Sequence, residues 1–356
     1  MFTKNRNLII TRIALVLALI TGVFAVVPVH AGKVTADKYP GDSILKINNS
    51  QSPVPLISSV PAYDWHTFYG SNSTQSAKIA MDLNGNIYIT AFSGTAWNGP
   101  NSTSPLNSYV AGQDMVIIKL DRDGAYQWHT FYGSSGNDYP NDIAVDSNGN
   151  VYIVGQSSAT WDGPGNASPL NTFAGGGDMV LIKLDNAGTY QWHTFYGATT
   201  TVERDEAKSV SVDLNGNIFL TGWSVDTWNG PGSISPLNGF TGNADIVIVK
   251  LDAFGVYQWH TFYGSSDLDF PNSIGVDSNG NVYVVGTSKD WNGPGSTRPL
   301  RAFGGGSFPH IVIIKLNNSG TYQWHTFYGT SEADIPRDMD IDTGGNIYIA
   351  GSSATG

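Results

Sequence analysis

Short stretches of alternating apolar and polar residues recur along this chain of 356 residues, separated by turn-forming residues. Residues 141–204 represent one unit of the pattern. Four strands are predicted in it: Asp142–Asp146, Val151–Gly155, Met179–Leu184 and Tyr190–Tyr196. The first two strands are joined by an Asn-Gly turn, which tolerates positive φ and favours a tight hairpin. The unit is therefore predicted to be a four-stranded antiparallel meander.

The segment Trp-His-Thr-Phe-Tyr-Gly recurs five times, with its tryptophan at Trp65, Trp128, Trp192, Trp259 and Trp324. The spacings of 63, 64, 67 and 65 residues define a repeat of about 64 residues. Each complete unit also carries an Asn-Gly type of turn, a Trp-Asn/Asp-Gly-Pro loop and an apolar strand that ends in Lys-Leu. The repeated units are thus predicted to make up the whole folded part of the protein.

The predicted strands carry apolar residues on both faces. In the fourth strand, alternation places Tyr190, Trp192 and Tyr196 on one side and Phe195 on the other. A sheet with apolar residues on both faces must be covered on both faces. Radial packing of blades around an axis achieves this, because each blade covers the next. We therefore predict an all-β fold, a β-propeller of four-stranded antiparallel blades with four complete units and a partial fifth. A linear β-solenoid competes, but its repeats are usually much shorter.

Two segments, Ile143–Gly155 and Ile182–Gly188, resemble the bacterial SBBP β-propeller repeat, and the resemblance covers about residues 63–351. It implies a propeller fold and export, since the family occurs in bacterial surface and secreted proteins. It implies no settled enzyme activity and supplies no catalytic residues. The Trp-Asn/Asp-Gly-Pro loop departs from the family pattern.

Residues 1–31 are predicted to be a secretory signal peptide. They combine basic positions with an apolar run, Ile13–Val27, and a small-residue cleavage site that ends at Ala31. The alternative is an uncleaved anchor, but the run is shorter than the ~20 apolar residues that a bilayer span needs. A secreted or cell-surface location follows, with no membrane insertion after cleavage.

Residues 32–61 are rich in Asn, Ser and Pro and predict a flexible linker, which leaves residues 62–356 for the repeats. The repeats are predicted to open with a lone fourth strand, Tyr63–Tyr69, and to end after a second strand, Asn346–Ala350. The chain would then stop within a repeat, either as a fragment of a longer protein or as an incompletely closed ring.

The formal charge is −11 and becomes −14 when residues 1–31 are removed. An acidic surface without a basic cluster disfavours nucleic acid and anionic membranes as partners. The chain has no cysteine, so an exported form must be stabilised by packing and not by disulfides.

The long loops are predicted to gather at one end of the blades, opposite the tight turns. That face is the predicted binding surface, and its repeated tryptophans are the candidate contacts for a carbohydrate or a protein: Trp97, Trp161, Trp228 and Trp291. Indole rings beside Asn or Asp suit sugars, and several copies would give avidity. The alternative is that each tryptophan folds inward and gives its loop a small core.

Three aspartates at the start of the third strand are further candidates for a ligand site: Asp114, Asp178 and Asp245. They would bind sugar hydroxyls or calcium, although closing a Gly-rich turn explains them equally. The fourth unit has His310 at this position. No cofactor is predicted.

The histidine of each repeat lies in the same place on its strand, which predicts a hydrogen-bonded structural residue in every blade. Near-identical units offer the same groups each time, whereas a catalytic site needs an asymmetric set. We therefore predict a binding scaffold and not an enzyme, with carbohydrate as the first ligand class and protein as the second. The alternative is a protein-interaction or structural surface protein, and a less favoured one is an enzyme with one asymmetric site on the long-loop face.

Overall fold

The computed structural model describes residues 13–19, 23–29, 65–71, 75–199, 204–330 and 332–353. The chain divides into two units, Met1–Tyr69 and Gly70–Gly356. In the first unit, β1 (Ile13–Leu19) and β2 (Val23–Val29) form an antiparallel pair. The predicted linker and the other positions of the predicted signal peptide lie outside the described residues.

The predicted lone strand over residues 63–69 is described from Trp65 onward, and residues 65–69 are not in a strand. The prediction is wrong for these residues. A segment becomes a strand only where a neighbouring segment completes its ladder of hydrogen bonds, and the repeated motif does not itself supply that partner.

The second unit contains four antiparallel sheets of four strands, here called blades 1 to 4, followed by a two-stranded sheet. In chain order the strands are β3 (Gln75–Met81), β4 (Ile87–Ser93), β5 (Asp114–Leu120) and β6 (Tyr126–Tyr132) in blade 1; β7 (Asp138–Val145), β8 (Val151–Ser157), β9 (Asp178–Leu184) and β10 (Tyr190–Tyr196) in blade 2; β11 (Glu206–Val212), β12 (Ile218–Ser224), β13 (Asp245–Leu251) and β14 (Tyr257–Tyr263) in blade 3; β15 (Phe270–Val276), β16 (Val282–Ser288), β17 (His310–Leu316) and β18 (Tyr322–Tyr328) in blade 4; then β19 (Asp334–Ile341) and β20 (Ile347–Ser353). Short 3-10 turns occur at Pro100–Ser102, Pro231–Ser233 and Pro294–Ser296.

The hairpin between the first and second strands is closed by its aspartate, as predicted. In blade 2, Asp146 Oδ1 accepts hydrogen bonds from the backbone N–H groups of Asn148 and Asn150, each at 2.9 Å. Asp146 Oδ2 accepts from the Asn150 side chain at 2.7 Å and from the Tyr152 hydroxyl at 3.0 Å. Gly149 supplies the left-handed conformation with φ of 81°. The aspartate is fully used by the turn.

A β-bulge at the start of each fourth strand changes the predicted arrangement of its faces. In β10 the register shifts between Tyr190 and Trp192, so Tyr190 lies on the side of His193, whose Nδ1 is 2.7 Å from the Tyr190 hydroxyl oxygen. The prediction that Tyr190 shares a face with Trp192 is therefore wrong. Strict alternation fails because a bulge inserts one unpaired residue and moves the preceding side chain to the other face.

The hydrophobic cores lie between successive blades, which is the double covering that the sequence predicts. One core joins Met115 and Trp128 of blade 1 to Val180 and Phe195 of blade 2, and similar cores follow along the chain. The first strands contact each other in succession, from β3 through β7, β11 and β15 to β19. The architecture is thus an all-β, propeller-like series of blades.

The lysine of the Lys-Leu motif in blades 1 to 3 links its blade to the next one. Lys119 donates to the backbone carbonyl of Asn186 at 2.7 Å, and Lys183 donates to that of Ala253 at 2.9 Å. Lys250 repeats the contact with Asn318. Each acceptor lies in the tight turn between the third and fourth strands of the following blade, so the motif fixes the spacing between blades.

The long loops do not stay at one end of the blades. Each starts there and then runs along the outer edge of its fourth strand: Leu106 N donates to His129 O at 2.9 Å, and Phe131 N donates to Asn107 O at 3.1 Å. The same pair of bonds recurs in the other blades. The prediction that these loops form one end face is therefore wrong, because the exposed edge of the fourth strand offers unpaired backbone groups that the loop satisfies.

Candidate functional site

Each loop tryptophan stacks on the histidine of its own blade. The rings of Trp161 and His193 are parallel within 5°, with centroids 3.8 Å apart, and Tyr132 of the preceding blade packs against the same indole. Equivalent stacks occur elsewhere: Trp97 on His129, Trp228 on His260 and Trp291 on His325. Trp228 is buried and the other three are half-buried. One indole face is thus occupied by imidazole and not open to a sugar ring.

The histidine of each stack is held in one neutral tautomer. His193 Nε2 lies 3.1 Å from the carbonyl oxygen of Trp161. A carbonyl only accepts, so Nε2 carries the proton and Nδ1 accepts from the Tyr190 hydroxyl. Burial lowers the pKa of His193 to about 4. The prediction of a hydrogen-bonded structural histidine is confirmed for this blade and for the equivalent residues, His129, His260 and His325.

The predicted aspartates each begin a third strand and close the turn before it. Asp114 Oδ2 accepts from Val110 N at 2.7 Å, and Asp178 Oδ2 accepts from Ala174 N at 2.6 Å. Asp245 accepts from Thr241 N at 2.8 Å. The interpretation that these aspartates close the turn before the third strand is confirmed for the Oδ2 oxygen. The other oxygen, Oδ1, is buried in all three without a hydrogen-bond partner among the described residues.

Each of these aspartates faces a second aspartate from the next blade across a glycine. A Cβ placed on Gly133 would lie 2.7 Å from Asp114 Oδ1 and 2.8 Å from Asp138 Oδ2. Burial, with a smaller contribution from the charge of Asp138, raises the pKa of Asp114 to about 6. The other two junctions repeat the arrangement, with Asp178 opposite Asp205 at Gly197 and Asp245 opposite Asp269 at Gly264.

The fourth junction replaces one carboxyl group with an imidazole. A Cβ on Gly329 would lie 2.6 Å from His310 Cγ and 2.7 Å from Asp334 Oδ2. Burial would raise the pKa of Asp334, but hydrogen bonds from Ser353 and Thr330 and the charge of His310 hold it below its usual value. His310 therefore places an imidazole where the other junctions place a second carboxyl group.

A shallow apolar cleft of about 310 Å³, here called the outer cleft, opens between the long loops of blades 2 and 3. Leu170 lies beside the turn of blade 3 and is 54% exposed, and Phe254 in that turn is 81% exposed. The lining residues are Leu170, Asn171, Tyr196, Pro231, Ile234, Phe254, Gly255, Val256 and Tyr257. None of them was predicted as a contact. The signal that was available is the Pro-Leu dipeptide repeated in each long loop.

A second cavity of about 600 Å³, here called the inner pocket, lies among the first strands of the blades. Its lining residues are Lys78, Asn141, Glu206, Lys208, Trp223, Phe270, Pro271, Asn272 and Arg337. The sequence analysis did not identify it. The available signal was that these positions differ from repeat to repeat, whereas the fourth strands are the same in every blade.

Among the described residues, no group of three or more His, Cys, Asp or Glu side chains is placed to hold a metal ion. The aspartate pairs fall below this number. In the part of the chain that the structure covers, no helix is both long and apolar enough to cross a membrane.

Comparison with curated proteins gives distant relatives. The chain is 22% identical over 277 residues to an uncharacterised WD repeat-containing protein of Acanthamoeba polyphaga mimivirus, covering 64% of this chain and 19% of that protein. It is 25% identical over 213 residues to the regulatory protein FlaEY of Caulobacter vibrioides, covering 59% of this chain and 21% of that protein. The chain spans about a fifth of the length of these relatives.

Among solved structures, a protein of unknown function from Dyadobacter fermentans aligns with a TM-score of 0.41 and 14% identity. The alignment covers 75% of this chain and 73% of that one. A family model described as a beta-propeller repeat, SBBP, matches residues 127–160, 258–292 and 323–355. Each match begins in a fourth strand and continues into the first hairpin of the following sheet. Three segments of the chain therefore match the SBBP beta-propeller repeat.

Proposed function

We propose that the protein is an exported interaction scaffold that binds a protein partner through apolar contacts at the outer surface of its blades. The outer cleft carries the proposal. Leu170, Ile234, Phe254 and Val256 surround it with exposures of 54, 49, 81 and 57%. A contiguous group of exposed apolar side chains of this kind marks an interaction site more often than a single exposed leucine does.

Repetition of the loop geometry supports binding at several equivalent positions. A Cβ on Gly188 would lie 2.6 Å from Leu106 Cδ1, one on Gly255 would lie 2.7 Å from Leu170 Cδ1, and Gly320 has the same relation to Leu237. The loop leucine of one blade therefore rests on the turn of the next. All four loop leucines are more than half exposed: Leu106, Leu170, Leu237 and Leu300. Equivalent sites on one rigid body would give avidity.

Export is proposed on the sequence of residues 1–31, with its basic start, apolar run and small-residue site at Ala31. An exported chain without cysteine must be stabilised by packing, and the cores between the blades supply that packing. Expression of the full chain in a secreting host, followed by mass spectrometry of the product, tests this. A mature N-terminus at Gly32 supports export, and an intact Met1 in the cell pellet contradicts it.

The proposed role is binding and not catalysis, because the fourth strands and the loop tryptophans offer the same groups in each blade. Carbohydrate, the first ligand class predicted from the sequence, takes second place in this proposal. At the loops it is disfavoured by the imidazole that covers each indole. It is favoured instead by the inner pocket, where Trp223 stands beside amide and cationic side chains.

The test exploits blade 4, whose turn has Ser319 and Thr321 where blade 3 has Phe254 and Val256. The double variant F254S/V256T gives blade 3 the turn residues of blade 4 and should fold normally. Wild type and variant are compared as baits against the surface and secreted fraction of the source cells, with chemical crosslinking and mass spectrometry. A partner that crosslinks within the outer cleft of wild type, and whose capture falls at least tenfold with the variant, supports the proposal.

A glycan array probed with the same two proteins tests carbohydrate as the alternative ligand. A glycan that binds wild type but not F254S/V256T would show that the ligand of this cleft is a carbohydrate and not a protein. Equal capture of every partner by both proteins would overturn the proposed site. Light scattering of both forms distinguishes partner binding from self-association.

A further inference from the structure

The inner pocket is lined by one polar or charged residue from each of the five first strands, together with neighbouring side chains. The five residues are Lys78, Asn141, Lys208, Asn272 and Arg337. They come from sequence positions about 65 residues apart, in five successive sheets. A volume of about 600 Å³ is within the range of small-molecule sites.

A β-bulge directs four of these side chains into the pocket, whereas Lys78 lies opposite Thr90 in its sheet. The register of β7 shifts between Pro140 and Asp142, which leaves Asn141 without an opposite residue. The shifts in β11, β15 and β19 leave Lys208, Asn272 and Arg337 in the same situation. A bulged residue is re-aimed relative to its sheet and occurs often beside functional sites. The five strands therefore present one set of polar side chains to a common space.

The pocket carries three cations against one carboxylate, in a chain whose formal charge is −11. Lys208 pairs with Glu206 at 2.6 Å, and Glu206 also accepts from the Asn141 side chain at 2.8 Å. Lys78 and Arg337 make no ion pair with any residue that the structure describes. Two unpaired cations facing one cavity repel each other, and a bound anion would relieve that repulsion.

The carboxylates next to the pocket are already engaged. Asp142 accepts hydrogen bonds from the Ser209 hydroxyl at 2.7 Å and from Val210 N at 3.0 Å. Asp338 accepts from the Ser273 hydroxyl at 3.0 Å. These contacts join the first strands of neighbouring blades and hold the carboxylates in the strand layer. The charge of Lys78 acts on Asp142, but the two side chains form no ion pair, so the ammonium group can still bind a ligand.

One wall of the pocket is aromatic. The rings of Trp223 and Phe270 meet edge to face, with centroids 5.5 Å apart and planes at 90°. Trp223 is particular to blade 3, since the equivalent positions hold Phe92, Gln156 and Thr287. The residues that line the pocket thus differ between blades, whereas the fourth strands are the same in every blade. A single asymmetric site is what a specific small ligand requires.

We propose that the inner pocket binds a small acidic saccharide, one or two sugar rings that carry a carboxylate or a sulfate. Lys78 and Arg337 bind the anionic group, and guanidinium suits it because its N–H donors pair with two oxygens at once. The amide of Asn272 and the amide oxygen of Asn141 bind ring hydroxyls, since the Asn141 nitrogen already donates to Glu206 and to the Ala207 carbonyl. Trp223 contacts the C–H face of a sugar ring. This site is separate from the outer cleft, and neither depends on the other.

The test is isothermal titration of the full chain with mono- and disaccharides that carry one carboxylate, their sulfated counterparts and their neutral parents. The variant K78Q/R337Q removes both unpaired cations. The control R122Q/R298Q removes two exposed cations at surface positions outside the pocket, so both variants have the same net charge. Circular dichroism and thermal melting of each protein establish that it is folded.

We expect wild type and R122Q/R298Q to bind an acidic saccharide with affinities within a factor of two. K78Q/R337Q should bind it at least tenfold more weakly, and the neutral parent should bind wild type at least tenfold more weakly. Comparison of carboxylated with sulfated ligands identifies the anionic group. Failure of every acidic saccharide to bind wild type would overturn the proposal, as would equal affinities for acidic and neutral ligands or equal losses in the two variants.

Discussion

The indole of Trp161 lies flat against the imidazole of His193, 32 residues further along the chain, with ring centroids 3.8 Å apart and planes within 5°. The Trp161 carbonyl accepts the proton of the same imidazole. The loop and the fourth strand are thus joined by a ring stack and a hydrogen bond at one place. Four blades repeat this relationship.

Trp161→Ala should destabilise the fold, because the indole packs on His193, Tyr132 and Phe195 at once. Losing a large aromatic side chain from such a site costs about 3 kcal/mol. Urea unfolding measures the loss. Leu214→Ala is the control, since Leu214 is 82% exposed at a turn, and we expect it to change the free energy of unfolding by less than about 0.5 kcal/mol. A Trp161→Ala protein as stable as wild type would contradict the packing role.

The buried histidines should make the fold less stable in acid. Burial lowers the pKa of His193, His260 and His325 to about 4, against about 6.5 for an unperturbed histidine. Between these values the native state binds fewer protons than the unfolded chain, so the free energy of unfolding decreases as pH falls from 6.5 towards 4. His193→Gln should weaken this dependence, measured as the difference in urea unfolding between pH 7 and pH 5. An unchanged difference would show that His193 does not contribute.

The aspartate pairs should act in the opposite direction. Burial raises the pKa of Asp178 to about 7 and that of Asp205 to about 6. The native state therefore binds more protons than the unfolded chain from about pH 4 upward, and the free energy of unfolding decreases as pH rises through 7. The histidine effect ends near pH 6.5, so the aspartate effect should stand alone between pH 6.5 and 8.

Asp178→Asn isolates this effect, because it removes the titrating group and keeps the side-chain shape. We expect the variant to be more stable than wild type at pH 8 and to lose less stability between pH 6.5 and 8. Asp178→His is the matched comparison, since blade 4 carries His310 at this position. A slope identical to that of wild type in Asp178→Asn would exclude Asp178 as the titrating group.

Gly133 should tolerate no side chain. A Cβ there would meet Asp114 Oδ1 at 2.7 Å and Asp138 Oδ2 at 2.8 Å, both on buried residues. Gly133→Ala should therefore lower the melting temperature by several degrees. Gly239→Ala is the control, because a Cβ at Gly239 has no atom within 4 Å. Equal melting temperatures for the two variants would show that the junction adapts to the extra carbon.

The sequence by itself determined the blades. Alternation of apolar and polar residues, Asn-Gly turns and a constant period are local properties, and they correctly predict four-stranded meanders that cover one another. The structural histidine was also predictable, because a residue repeated at one place in every blade cannot converge with its copies.

Only the tertiary structure decided where the side chains meet. Tyr190 changed face because a bulge, which period-2 alternation does not encode, precedes Trp192. The long loops left the end of the blades because the unpaired edges of the fourth strands bind them. The partner of Asp114 is Asp138, and the companions of Lys78 lie in four other sheets. Such contacts depend on how whole blades are oriented, and no local pattern in the chain specifies that.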